Sequence, residues 1–84
     1  MDTICVSNIP DHYNEMTVVD IFSRYGKVVS VERMKNEPYI WHIKYNNTNN
    51  AEYAFLLLST CKIDKKIMSY AYEDAWDMVV TMSE

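Results

Sequence analysis

The stretch ICVSNIP, residues 4–10, sets the fold of this chain. Within it, Ile4 and Val6 alternate with Cys5 and Ser7, which is the period of a strand that buries one face and leaves the other open. The proline that follows cannot donate a backbone hydrogen bond and ends the strand. The chain therefore opens with a strand in which Cys5 points to the open face.

A helix is predicted next, over residues 15–25. Asn14 is a suitable N-cap because its side-chain oxygen can accept from the first turn. Inside the helix one apolar stripe follows the i, i+3, i+4, i+7 spacing, and its members are Val18, Ile21, Phe22 and Tyr25. Gly26 is predicted to end the helix.

The remaining elements alternate between strand and helix. Strands are predicted at 27–34, 39–45 and 67–72, and a second helix at 50–60 with a stripe formed by Ala51, Ala54, Phe55 and Leu58. Together with the first strand at 3–9, the order is β-α-β-β-α-β. That order predicts an α+β, ferredoxin-like fold, in which two helices pack on one face of a four-stranded antiparallel sheet.

Length and charge limit the domain and its partners. The 84 residues, 49% hydrophobic and 24% charged, suit one globular domain over 1–84. Eight Lys and Arg against twelve Asp and Glu give a net charge of −4 and an isoelectric point near 5.0. Nucleic-acid-binding domains usually present a basic face, so this balance argues against strong, long-range attraction of RNA.

Other classes of function have little support in the sequence. Cys5 and Cys61 are isolated, which favours two reduced thiols over a disulfide or a metal site. The sequence contains no catalytic spacing, no Gly-rich phosphate loop, no signal peptide and no apolar run of membrane length. We therefore predict a non-enzymatic, intracellular domain without a cofactor or membrane contact, in the nucleus or the cytoplasm.

The C-terminal segment allows several interpretations. With the last strand at 67–72, the domain core covers 2–72 and residues 73–84 form a C-terminal extension, predicted as a short amphipathic helix. Its Trp76 could cover the open face of the sheet, pack on a partner chain, or belong to a frayed end.

Five stretches together resemble the RNA-recognition motif family over nearly the whole chain. The hexamer at 4–9 is similar to the family's aliphatic-aromatic-aliphatic-x-Asn-Leu motif. The end of the family's octamer motif, aliphatic-x-aromatic, is matched at 43–45. Residues 18–31 resemble the family's first helix and second strand. Residues 50–58 resemble its second helix, and residues 62–67 resemble its turn into the fourth strand.

The resemblance implies an open sheet face on which unpaired bases stack on three aromatic rings. The corresponding positions here hold Cys5, Ile40 and His42, so one ring remains and the chain resembles a degenerate member. Each lost stacking contact is expected to cost about 1–3 kcal/mol of binding free energy. The residues expected to contact RNA are His42, Lys44, Arg33 and Tyr39.

The third strand departs from the octamer pattern in another way. The usual basic residue and glycine become Pro38 and Tyr39, and a small residue becomes Trp41. Without a bulge, Trp41, Ile43 and Tyr45 share the core face. A bulge near Tyr39 would instead turn Tyr39 or Trp41 to solvent and restore a stacking ring.

The outer sides of the predicted helices carry apolar residues where solvent-facing helices usually carry charge. We expect them to form a protein interface, made of Tyr53, Leu56, Leu57, Met16, Val19 and Trp76. The first hypothesis is accordingly a degenerate RNA-recognition domain that docks another protein in an RNA-processing or ribonucleoprotein complex. The docked protein forms a homo- or heterodimer with it, and another such domain is one candidate partner.

Two alternatives remain open at this point. The first is single-stranded RNA binding through the open sheet face, with His42 as the ring. The second is recognition of a peptide ligand, as in some family members. Those members carry Arg-x-Phe before the last strand, whereas this chain has Lys62-Ile63-Asp64, so the peptide alternative ranks lowest.

Overall fold

A computed structural model describes residues 2–36, 40–60 and 78–82. The elements follow the order β1 (Thr3–Ser7), α1 (Glu15–Phe22), a 3-10 turn (Ser23–Tyr25), β2 (Val28–Arg33), β3 (Trp41–Tyr45), α2 (Thr48–Thr60) and β4 (Val79–Met82). The strands form one antiparallel sheet in the order β2-β3-β1-β4. The predicted ferredoxin-like arrangement, with both helices on one face of this sheet, is confirmed.

The first helix begins at the predicted residue, but α1 itself ends at Phe22, and the 3-10 turn completes the predicted helical stretch up to Gly26. The Oδ1 atom of Asn14 accepts from the backbone N–H of Thr17 at 2.9 Å, which caps the first turn. At the other end, Gly26 has a φ of 150°. A Cβ atom at this position would lie 2.6 Å from Cγ of Asn50, so both the backbone conformation and the close approach of α2 require glycine.

The core lies between the sheet and the helices. The sheet contributes alternate residues of β3, namely Trp41, Ile43 and Tyr45, all of them buried. Tyr45 also donates its phenol hydroxyl to the carbonyl oxygen of Phe22 at 2.7 Å. Burial raises the pKa of the Tyr45 phenol.

The prediction that β3 continues without a bulge is confirmed for its described residues. Trp41 is 1% exposed and lies under the helices, so the alternative in which it turns to solvent is wrong. The register shift lies instead in β2, between Val28 and Ser30. Tyr39, the other residue of that alternative, lies outside the described residues.

The position of the last strand corrects the sequence-based prediction. The strand that pairs with β1 is Val79–Met82, inside the segment predicted as a C-terminal helix and outside the predicted 2–72 core. Residues 67–72 and Trp76 lie outside the described part. The segment matches both periods: Val79 and Met82 fit a helical stripe, but Met78 and Val80 are the buried residues and alternate with exposed ones. The β-branched run from Val79 to Thr81 favours the strand.

Candidate nucleic-acid interface

The side of the sheet turned away from the helices is referred to here as the open face. It is formed by the residues that alternate with the core residues along each strand. They are Thr3, Cys5 and Ser7 from β1, Ser30 and Glu32 from β2, His42 and Lys44 from β3, and Val79 and Thr81 from β4. These side chains are mostly small and polar, and His42 supplies the one ring among them.

One row of side chains crosses the middle of the open face. His42 is the direct cross-strand partner of Cys5 on one side and of Glu32 on the other, and Cys5 is in turn opposite Thr81. Directly opposed residues of antiparallel strands have Cβ atoms about 4.5–5.5 Å apart. A histidine ring therefore lies between a thiol and a carboxylate on the open face.

A groove of about 550 Å³ opens beside this row, next to the connection from β2 to β3. Its volume is in the range of small-molecule sites, about 300–1,000 Å³. The groove is lined by Cys5, Glu32, Arg33, Met34, Lys35, Asn36, Ile40 and His42. The three positions at which the family's stacking rings are expected, Cys5, Ile40 and His42, thus line one groove.

Of these three positions, only His42 can stack a base on a ring. The His42 ring is half-buried, and among the described residues it makes no ring contact, hydrogen bond or ion pair. Ile40 is half-buried at the entry to β3, where its carbonyl oxygen accepts from the N–H of Met34 at 3.0 Å. Cys5 is a free thiol. Cys5 and Ile40 can offer apolar contact to a base but not aromatic stacking.

The two predicted phosphate contacts lie on different faces. Lys44 is exposed on the open face, opposite Thr3 and Ser30, and its ammonium group makes no ion pair within the described ranges. Arg33 is the cross-strand partner of Trp41 and shares the helix-covered face. Although Arg33 borders the groove, its position does not extend the open face.

The Arg33 guanidinium is held on the helix side of the sheet. Its Nη2 atom donates to Oδ1 of Asp11 at 2.6 Å and to the Asp11 carbonyl oxygen at 2.8 Å. The guanidinium carbon lies 5.5 Å from the centre of the Trp41 ring, a cation–π distance. Because the guanidinium is already paired with Asp11, it is less available to bind an RNA phosphate.

The structure adds two open-face residues that the sequence-based prediction missed, Glu32 and Thr81. Thr81 was missed because the last strand was predicted too early. Glu32 alternates with Val31 and Arg33 along β2, and this alternation could have identified its face once the register against His42 was known.

The predicted protein interface is exposed in part. Met16 is 81% exposed, Val19 36%, Tyr53 54% and Leu56 55%, all on the outer sides of α1 and α2. These four residues are called the helix patch below. Leu57 is half-buried and packs against the core, so it does not belong to this surface. Trp76 lies outside the described residues.

Features of other kinds of site are few in the described ranges. No group of three or more metal-ligating side chains occurs there. None of the described helices is long and apolar enough to cross a membrane. His12, beside β1, is exposed and stacks edge-on against Tyr13, with ring centres 5.0 Å apart.

Comparisons with known proteins agree with this geometry. The sequence profile of the RNA recognition motif family matches residues 4–68, which stops short of β4. Among solved structures, the third RNA recognition motif of Mip6 superposes with a TM-score of 0.73 at 24% identity, covering 99% of this chain and 94% of that one. The RNA recognition motif domain of S. pombe Puf1 superposes with a TM-score of 0.73 at 18% identity, covering 98% of this chain and 97% of that one.

A third similar structure is the penultimate RNA recognition motif of RBM19, with a TM-score of 0.71 at 17% identity, covering 100% of this chain and 84% of that chain. A comparison with curated protein sequences gave no match. The profile match covers most of the chain, and the strand order and the groove fit it. The chain therefore belongs to the RNA recognition motif family, whose domains generally bind RNA.

Proposed function

We propose that this domain binds single-stranded RNA on its open face, with one base stacked on His42. The observation that supports this most directly is the half-exposed His42 ring, which has no ring or polar contact within the described residues and lines the open-face groove. Lys44 lies two residues along the same strand and the same face, where its ammonium can meet the phosphate that joins the stacked nucleotide to the next.

The proposed binding is weak and salt-dependent. Stacking contributes about 1–3 kcal/mol per base, and two of the family's three stacking positions hold Cys5 and Ile40. The open face also carries Glu32, which repels phosphate. With Arg33 engaged by Asp11, Lys44 supplies the nearest uncommitted positive charge on the central strand.

Fluorescence anisotropy with a labelled eight-nucleotide RNA of mixed sequence, at low salt, tests this proposal. His42→Ala is expected to weaken binding roughly 5- to 150-fold, the loss of one stacked base. Lys44→Gln is expected to lower the salt dependence by about 0.7 in the slope of log K against log salt, the value for one phosphate contact on a single strand.

Arg24→Gln is the matched control. It removes one positive charge from an exposed position in the 3-10 turn on the helix side, where Arg24 pairs with Asp20. Its RNA affinity should equal that of the unmodified domain. Undetectable RNA binding at low salt, or equal losses in Lys44→Gln and Arg24→Gln, would contradict binding on the open face.

A second candidate function is protein docking through the helix patch. Six large apolar side chains are exposed in the described ranges, and four of them, the residues of the helix patch, lie on α1 and α2. Aromatic residues and methionine are enriched in protein interfaces, and the patch contains Tyr53 and Met16. Such docking suits a member of an RNA-processing or ribonucleoprotein assembly, inside the cell.

The charge around the patch favours a partner other than a second copy. The two helices contain the acidic residues Glu15, Asp20 and Glu52 and no Lys or Arg, and of these three only Asp20 has a cationic partner in the described residues, Arg24 of the 3-10 turn. Two copies joined by this surface would place like charges together, which opposes association. The expected partner is a different protein whose apolar patch is bordered by Lys or Arg.

Two measurements address docking. Light scattering at high micromolar concentration is expected to give a monomer, and a dimer that Tyr53→Glu/Leu56→Glu dissociates would instead identify a second copy as the occupant. Proteins captured from native extract would then be purified and titrated. A partner that uses the patch must bind the Tyr53→Glu/Leu56→Glu variant at least tenfold more weakly than the unmodified domain. Its binding to the unmodified domain must also weaken at high salt. Equal binding to both forms would contradict a role for the patch.

A further inference from the structure

The open-face groove carries a feature that RNA binding alone does not explain, the carboxylate of Glu32. Resting on the proposed function, we infer that Glu32 selects the base stacked on His42. It favours a base with an amino group on its Watson–Crick edge, guanine first, and disfavours uracil. The inference assigns a specificity-determining role to a residue outside the three stacking positions.

Glu32 lies beside the ring on which the base is proposed to stack. It is the direct cross-strand partner of His42 on β2, and both side chains line the groove. Their Cβ atoms are about 4.5–5.5 Å apart, as for any directly opposed pair. A nucleobase is wider than an imidazole ring, so a base stacked on His42 extends over a neighbouring strand. Toward β2, its edge meets the Glu32 carboxylate.

The Glu32 carboxylate also has free hydrogen-bonding capacity. Glu32 is exposed, and within the described part of the chain it makes no hydrogen bond or ion pair. Asp11, by contrast, is neutralised by Arg33. A carboxylate only accepts hydrogen bonds, and hydrogen bonds to an ionised group are roughly twice as strong as neutral ones. On an RNA-binding surface Glu32 therefore repels phosphate and attracts donors.

The four bases offer different donors on the Watson–Crick edge of an unpaired nucleotide. Guanine presents N1–H beside its N2 amino group, two adjacent donors that fit the two carboxylate oxygens. Cytosine and adenine present one amino group each, and glutamate accepting from the cytosine amino group is a known pairing. Uracil presents one N–H between two carbonyl oxygens, which the carboxylate repels. The expected order is guanine, then cytosine and adenine, then uracil.

The rim of the groove fits a nucleotide held in this orientation. Lys35 and Asn36 line the same groove immediately beyond β2. An ammonium and an amide there can meet the sugar or phosphate of the bound nucleotide, while the carboxylate meets the base. One nucleotide would thus use the ring for stacking, the carboxylate for its edge and the rim for its backbone.

The test measures the binding of four RNA octamers by fluorescence anisotropy. Each octamer has uridine at seven positions and carries guanosine, cytidine, adenosine or uridine at the fifth. The unmodified domain is expected to bind the guanosine octamer 5- to 150-fold more tightly than the all-uridine octamer. Glu32→Gln should reduce this ratio to below threefold, mainly because binding to the all-uridine octamer tightens, since an amide can donate to a uracil carbonyl. The control Glu15→Gln, which makes the same charge change in the first turn of α1, should leave the ratio unchanged.

The outcomes separate this inference from the proposed function. A ratio near one in the unmodified domain, with binding still lost in His42→Ala, would overturn the inference and leave RNA binding on the open face intact. Equal tightening of all four octamers by Glu32→Gln would show that the carboxylate acts only as a repulsive charge, and would also overturn it. Absence of binding to all four octamers at low salt would overturn both proposals.

Discussion

Strand β3 has two faces that differ sharply in their aromatic content. Toward the helices it buries two large rings, Trp41 and Tyr45, on either side of Ile43. Toward the open face it presents His42 and Lys44. Successive residues of β3 thus serve either core packing or the open face, and both of its large rings belong to the core. The contrast indicates a domain whose fold is strongly specified and whose open face keeps a single ring.

The largest expected effect tests whether stability depends on the buried face alone. Trp41→Ala should lower the free energy of unfolding by about 3–5 kcal/mol, because it empties a large volume of the core. His42→Ala, one residue away on the open face, should change it by less than about 0.5 kcal/mol. Urea denaturation followed by circular dichroism measures both. Comparable decreases in the free energy of unfolding in the two variants would contradict the idea that stability depends on the buried face alone.

Because Trp41→Ala can fail to fold, Trp41→Phe provides a second measurement. The Nε1 atom of Trp41 is buried without a hydrogen-bond partner in the described part, so phenylalanine removes volume but no hydrogen bond. The decrease in the free energy of unfolding should be clearly smaller for Trp41→Phe than for Trp41→Ala. An equal loss would indicate that the indole N–H stabilises the fold.

The next effect is a gain of binding on the open face. Cys5→Tyr puts a ring opposite His42 and should strengthen binding of the mixed-sequence octamer roughly 5- to 150-fold, the contribution of one stacked base. Ser59→Tyr, which adds the same ring to an exposed position of α2, is the control and should leave affinity unchanged. No gain in Cys5→Tyr would mean that bases do not lie over β1.

A smaller effect concerns the buried phenol. Tyr45→Phe removes the hydrogen bond to the Phe22 carbonyl and should cost about 1–2 kcal/mol of stability at neutral pH. Burial raises the pKa of Tyr45 in the folded state, so the folded state holds this proton more tightly than the unfolded state does. Stability should therefore fall as the pH rises above about 10, the ordinary value for tyrosine.

Denaturation at several alkaline pH values measures this dependence. In Tyr45→Phe the decline above pH about 10 should be shallower than in the unmodified domain, because the buried group that resists ionisation is absent. Identical slopes would assign the alkaline decline to the other tyrosines.

The smallest expected effect concerns the layer that covers the buried face. Asn14→Ala removes the N-cap of α1 and should cost about 1 kcal/mol. Asn14→Asp keeps an acceptor at the helix N-terminus and should cost much less. Thermal denaturation of the pair separates the cap from any other role of this side chain.

The sequence predicts the fold well because the relevant signals are local. The alternation in β1, the stripe of α1, the cap at Asn14 and the stop at Gly26 each involve neighbours along the chain. Each of these features is confirmed. The buried position of Trp41 also follows from alternation with His42, once no bulge intervenes.

The features that sequence analysis missed depend on tertiary register. The segment from Met78 to Met82 fits both a helical stripe and a strand alternation, and its pairing with β1 fixes it as a strand. Arg33 was expected to contact RNA, but its cross-strand partner is Trp41 and its charge meets Asp11, 22 positions earlier in the chain. The position of Glu32 beside His42 is likewise visible only from the register of β2 against β3.

The pairing of β4 with β1 joins residues about 76 positions apart and makes β1 an interior strand. A fragment that ended at residue 72 would leave the N–H and C=O groups along one side of β1 without partners, and would remove Met78 and Val80 from the core. An uncovered strand edge of this kind attracts strands of other molecules and promotes aggregation. The last five described residues therefore protect the first strand from self-association, and fragments for study should retain them.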